Sequence, residues 1–185
     1  MTAAFIWSAT RKLRCLAGDE RGVSAVEFAM LLPLMVTLYL GTVEVSQGIA
    51  ADRKVTLTAR TVADLVAQVS SINNANMTNS LNAASAVILP FSTSNLKVKV
   101  TSVKIDGDNK ITVDWSDALN DTARSKGDAV TLPSALVVPN TSVIWAEVQY
   151  SYKPAVGYII SGTLNLKEQI YMRPRVSDSV NRVNS

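Results

Sequence analysis

The chain has 185 residues, of which 48% are apolar, 18% charged and 6% aromatic, with a mean hydropathy of +0.18 and a formal net charge of +3. Low charge with raised hydropathy excludes a disordered tail and a coiled-coil rod. Four basic and two acidic residues precede residue 23, which leaves +1 on the rest and no basic face for nucleic acid. The chain has no histidine, which excludes Ser-His-Asp and Cys-His nucleophiles, HExxH zinc sites and histidine bases. Its single cysteine, Cys15, cannot form an internal disulfide or supply a thiolate metal site.

Residues 1–22 read as a polar, basic leader carrying Arg11, Lys12, Arg14 and Arg21. Val23 to Leu40 then form an eighteen-residue apolar run broken by one charge, Glu27. As a helix this run is about 27 Å long, close to the hydrocarbon thickness of a bilayer. Basic residues on its N-terminal side predict a cytoplasmic N-terminus and an exported remainder. Pro33 inside the run suggests a kink that a membrane helix tolerates. Beyond the span, Val55, Ala59, Val62, Val66 and Val69 recur at spacings of 4, 3, 4 and 3, one face of an amphipathic helix. One long helix from about Val23 to Ile72 is therefore expected, with Gly41 and Gly48 as points of bending, close approach or ordinary packing.

Asn73 to Asn76 break this helix, and Thr78 is a candidate N-cap for a second helix that stops before Pro90. Leu81, Ala84, Val87 and Ile88 are its expected core residues. After Pro90 the period changes to two. Leu96, Val98 and Val100 alternate with lysines, and the parity shift to Val103 and Ile105 predicts a bulge near Thr101-Ser102. Asp106-Gly107-Asp108-Asn109 is a turn signal, followed by Ile111, Val113 and Trp115. Residues 116–140 read as a polar surface connection. Two more strands follow, Val143–Tyr152 and Thr163–Met172, with Glu168 interrupting the apolar face of the second.

The expected fold is α+β and pilin-like: a long N-terminal helix packed on a roughly four-stranded antiparallel sheet. The expected divisions are a leader (1–22), a transmembrane segment (23–51), a periplasmic domain (52–175) and a loose polar tail (176–185). Trp115, Trp145, Tyr150, Tyr152 and Tyr171 are read as packing residues ahead of an open binding face. Asp106, Asp108, Asp114 and Asp117 form the densest acidic cluster but lack a full calcium-loop pattern, so no metal and no cofactor is expected.

The junction Arg21-Gly22-Val23-Ser24-Ala25-Val26-Glu27-Phe28 resembles the class III signal of type IV pilin-like proteins. Val26-Glu27-Phe28-Ala29, then Pro33, then Gly41-Thr42-Val43-Glu44 resemble TadE-like minor pilins, or pseudopilins, of the tight-adherence (Tad, Flp-type) pilus system. The resemblance covers about residues 21–90 and weakens over the sheet. It implies cleavage after Gly22 by a membrane aspartyl prepilin peptidase, which makes Val23 the new N-terminus and Glu27 the fifth mature residue. The new amine can then pair with a neighbouring subunit's Glu27, with Phe28 beside it. Pro33, Gly41 and Glu44 become candidates for membrane-helix packing or partner contact. For Glu44 a basic group on a partner and plain solvation at the interface both stand open. The implied partners are the inner membrane, the peptidase, other minor pilins, the major Flp pilin and the Tad assembly platform, with no nucleic acid and no small-molecule substrate. No enzymatic activity is expected. The alternatives are an uncleaved single-pass scaffold or binding module, and a secreted protein cut near Gly48-Ile49-Ala50, for which the apolar run is too long.

Overall fold

The computed structural model describes residues 21–154, 157 and 159–183. Cys15 and nearly all of the basic leader lie outside them.

The apolar run and the amphipathic stripe form one helix, α1 (Arg21–Ala67), with Pro33 inside it. The Thr37 hydroxyl donates to the Pro33 carbonyl at 2.8 Å, and Thr42 does the same to Leu38. Such bonds keep polar groups satisfied within the helix, as a hydrocarbon surrounding demands. In the distal half, Val55, Ala59, Val62 and Val66 are buried together with Ala51 and Ala63. Every member of the predicted stripe that lies within the helix faces the core.

The helix stops at Ala67, short of the expected Ile72. Ser71–Ile72 instead form a short strand, β1. The reason is tertiary: the C-terminal segment takes over the backbone partners here. Arg175 N donates to the Ala67 carbonyl at 2.8 Å, and Asn181 N to Ser70 at 3.0 Å. Helix α2 (Asn74–Val87) follows. Its cap is Asn73, whose side chain accepts from Asn76 N at 2.8 Å, and not Thr78, which lies inside the helix. Asparagine one residue before a helix is a strong cap because its side-chain oxygen takes an orphan N–H. Met77, Leu81, Ala84 and Ile88 are buried.

Four strands make the sheet: β2 (Leu96–Ile105), β3 (Ile111–Leu119), β4 (Thr141–Tyr152) and β5 (Leu164–Met172). Their order is β3-β2-β4-β5, and all pairs are antiparallel. The β2–β3 register slips between Ser102 and Val103, where the change of parity placed a bulge. In the hairpin, the Asp106 carboxylate accepts from Asp108 N at 3.0 Å and Lys110 N at 2.7 Å, and Asn109 takes φ 60°. The acidic pair is therefore turn chemistry. One sheet face packs Leu96, Val98, Val100, Ile144 and Val148 against α1 and α2. The other face also buries Val103, Ile105, Val113 and Val143, which a one-faced reading of the strands did not anticipate. The connection after β3 is tied to the edge of that strand: Gly127 N donates to Val113 O at 2.8 Å, and Val113 N to Asp128 O at 3.0 Å.

The C-terminal run, expected to be loose, is integrated up to residue 183. Asn181–Arg182 form a strand, β6, parallel to β1. Val180 is fully buried, and its carbonyl accepts from Trp115 Nε1 at 2.7 Å. The Arg182 guanidinium grips Asp117 through Nε at 2.8 Å and Nη2 at 3.2 Å. Composition hides this, because one buried apolar residue, the backbone pairing with β1 and the hydrogen bonds of Arg182 do the anchoring. Truncation after Ser179 removes a buried valine, worth about 1.5–3 kcal/mol. It also strands the buried indole N–H, at about 1–3 kcal/mol. The truncated chain is expected to lose about 3 kcal/mol or more in denaturant titration. An unchanged midpoint would show the run to be ornamental.

Candidate functional site along the N-terminal helix

The two halves of α1 are chemically different. From Gly22 to Tyr39 the helix is almost entirely exposed and apolar, and none of its most apolar stretch is buried. By length and composition it can cross a membrane. Gly22, Val23, Glu27 and Phe28 all lie on this bare half, with open space around Gly22. Val23 and Glu27 stand four residues apart, about 6 Å along the axis and on neighbouring positions of the helix surface. Pro33 is likewise exposed.

Packing begins at Gly41, directly after the apolar run. Gly41, Glu44 and Gly48 share one helix face by their spacing of three and four. Against them lies the bend at Ile159 and Ile160, which precedes β5. Glu44 is buried at 4% exposure, and its Oε2 accepts from Ile159 N at 2.8 Å and Ile160 N at 3.1 Å. A Cβ added to Gly41 would overlap Cδ1 of Ile159. One at Gly48 would make ordinary contact with Ile160 Cδ1 at 3.8 Å and Tyr152 Cε1 at 4.0 Å. Gly41 thus admits Ile159, Ile160 rests in ordinary contact beside Gly48, and the acid between the two glycines holds the backbone that carries both isoleucines. Of the readings of Glu44 drawn from the sequence, packing along the helix comes nearest to this internal contact with Ile159 and Ile160. The spacing Gly41-x-x-Glu44-x-x-x-Gly48 was a visible signal of a docking track, but the strand-side partner was not visible.

Glu168, read as a break in the β5 face, points to α1 and accepts from the Thr56 hydroxyl at 3.0 Å. On the opposite sheet face, Trp145 stacks on Tyr171 with centroids 5.5 Å apart and rings inclined at 27°. Arg124 lies 3.9 Å over Trp145 and pairs with Glu147. The aromatics are therefore packed, as expected, and form no open binding face of free rings. Among the described residues, no group of three or more His, Cys, Asp or Glu comes together as a metal site.

Burial pushes the phenols of Tyr150, Tyr152 and Tyr171 above their ordinary value of 10.0. For Tyr152 the Glu44 carboxylate adds to this, and for Tyr171 the Glu147 carboxylate does so. A pKa raised in the folded state means stability that is whole below the unfolded value and lost as pH climbs through the folded one. The thermal midpoint is expected to be insensitive to these tyrosines below about pH 10 and to fall above it. Replacing Tyr152 by phenylalanine should flatten that alkaline fall in melts recorded against pH.

A bare apolar half-helix continuous with a helix clamped onto an antiparallel sheet defines an α+β protein with, among the described residues, one candidate membrane anchor. Residues 22–64, all within α1, match the family model described as TadE-like protein, so the similarity lies in the N-terminal helix. The match includes Gly22, Val23, Glu27, Phe28, Pro33, Gly41 and Glu44, and it ends before the sheet. No curated protein and no solved structure matches the chain.

Proposed function

We propose that this TadE-like chain is a minor pilin, or pseudopilin, that supports assembly of a Tad/Flp-type pilus used in surface adhesion and biofilm formation. It performs no chemistry of its own. The observation that carries this reading is the placement of Gly22, Val23, Glu27 and Phe28 at the head of a bare apolar helix within the TadE-like match. Prepilin peptidase cuts after Gly22 and discards the basic leader together with Cys15. The mature chain then lacks cysteine, which suits an oxidising periplasm. The helix holds the protein in the bacterial inner membrane with its N-terminus cytoplasmic and its sheet domain periplasmic. There it meets other minor pilins, the major Flp pilin and the assembly platform.

The test is N-terminal sequencing of the full chain extracted from membranes of cells with and without the prepilin peptidase. The expected result is a chain beginning at Val23 in the first and at Met1 in the second. A chain beginning at Met1 in both would replace this reading by an uncleaved, membrane-anchored periplasmic scaffold or binding module.

A further inference from the structure

We infer that the bend at Ile159 and Ile160 is a second membrane contact, with Ile159 resting in the bilayer interface beside the point where α1 leaves it. This rests on the reading of the apolar run, residues 23–40 of the transmembrane segment 23–51, as the part that lies in the hydrocarbon. Ile159 touches Gly41, the residue directly after the apolar run, so its side chain lies beside the end of that run. It is 54% exposed, whereas Ile160 is half-buried beside Gly48 and Tyr152, one to two turns further from the membrane. The exposed isoleucine is thus the one on the membrane side. Leu38 and Val45 lie on the same helix face as Gly41 by their spacing, and both are exposed. The apolar surface of the span therefore continues past Gly41 and includes Ile159.

The backbone chemistry fits the same occupant. Irregular backbone at bilayer depth survives only where its N–H groups are satisfied within the protein. Glu44 takes two of them, at Ile159 and Ile160. A buried carboxylate at the membrane boundary is costly without donors and tolerable with them. The arrangement gives the sheet domain a contact off the helix axis, which fixes its depth and tilt over the membrane.

The full chain with Cys15→Ser is reconstituted into phosphatidylcholine vesicles and labelled with an environment-sensitive NBD fluorophore at a single cysteine. The positions are Ile159→Cys, Leu34→Cys in the span and Asp108→Cys in the hairpin turn. Doxyl spin-labelled lipids, shallow and deep, serve as quenchers. The Ile159 probe is expected to emit to the blue of the Asp108 probe and to be quenched several-fold more strongly by the shallow lipid than by the deep one. Adding Glu44→Gln should move it towards the Asp108 values. An Ile159 probe that behaves like Asp108 while Leu34 is quenched overturns the inference and leaves the span standing. A blue-shifted Ile159 probe that no lipid quenches overturns it in favour of a neighbouring subunit. A Leu34 probe unquenched at either depth overturns the span, and the inference with it.

Discussion

A chain carrying Glu44→Ala is expected to lose about 3 kcal/mol of stability, because two charge-assisted hydrogen bonds vanish and two backbone donors are left facing an apolar gap. The carboxylate is 4% exposed, so water enters poorly to replace it. Glu44→Gln keeps an acceptor oxygen and the side-chain volume but loses the charge, and about half of the penalty is expected. Gly41→Leu acts on the same contact from the other side. Its side chain collides with Ile159, and overpacking of this kind costs about 1–3 kcal/mol. Because both substitutions dislodge one bend, their combination should cost less than the sum. Denaturant titration of the full chain in detergent, followed by near-UV circular dichroism, reads all three. A Glu44→Ala midpoint equal to that of the unaltered chain would show that the bend contributes nothing to the fold.

Local periodicity carried much of the architecture. The 4-3-4 part of the stripe, from Val55 to Val66, became the buried face of α1, and the alternation from Leu96 to Val100 became the core face of β2. The slip in the β2–β3 pairing falls beside the change of parity at Thr101-Ser102, but the extra residue, Asp114, lies in β3; β2 keeps its register with β4, so Val103 and Ile105 pass to the other sheet face. What escaped the reading depends on pairings between distant segments. Ser71–Ile72 leave the helix only because Asn181–Arg182 arrive to pair with them. Asn73 outcompetes Thr78 as a cap because the helix before it has already ended. Trp115 looked like one more strand residue, yet its N–H fixes the C-terminal run through Val180. Glu168 looked like a flaw in an apolar face until Thr56 appeared opposite it. Apart from the Asn73 cap, a local contact with Asn76, each of these is a polar contact between segments far apart in sequence, and no periodic pattern carries that information. The candidate site divides the same way. Gly22, Val23, Glu27 and Phe28 stand on the bare helix where the motif placed them, whereas Glu44 needed Ile159 and Ile160 to be understood.

Replacing Glu27 by glutamine is expected to leave the mature chain intact in the membrane and to lower its incorporation into assembled pili at least about tenfold, which corresponds to about 1.4 kcal/mol. Glu27 lies on the exposed apolar half, away from the sheet, so the domain should melt as before. A lone carboxylate within a span costs up to about 2.5–3.5 kcal/mol, less near its end, so glutamine does not impair membrane retention. Under the proposed cleavage after Gly22, what it removes is the partner of the α-amine exposed at Val23. Two unit charges at 4 Å attract by about 4 kcal/mol at an effective dielectric near 20, and desolvation offsets part of this. The remainder exceeds what the expected loss requires. On that proposal the amine and the acid act as one device, so a cleavage-blocked chain and the Glu27→Gln chain should fail to the same extent, and combining them should add little. Quantifying the chain in sheared pili against the membrane fraction, with the Val23 terminus verified, reads this directly. Wild-type incorporation of Glu27→Gln would mean that the acid is tolerated at headgroup depth without a partner, and that subunits recognise one another elsewhere.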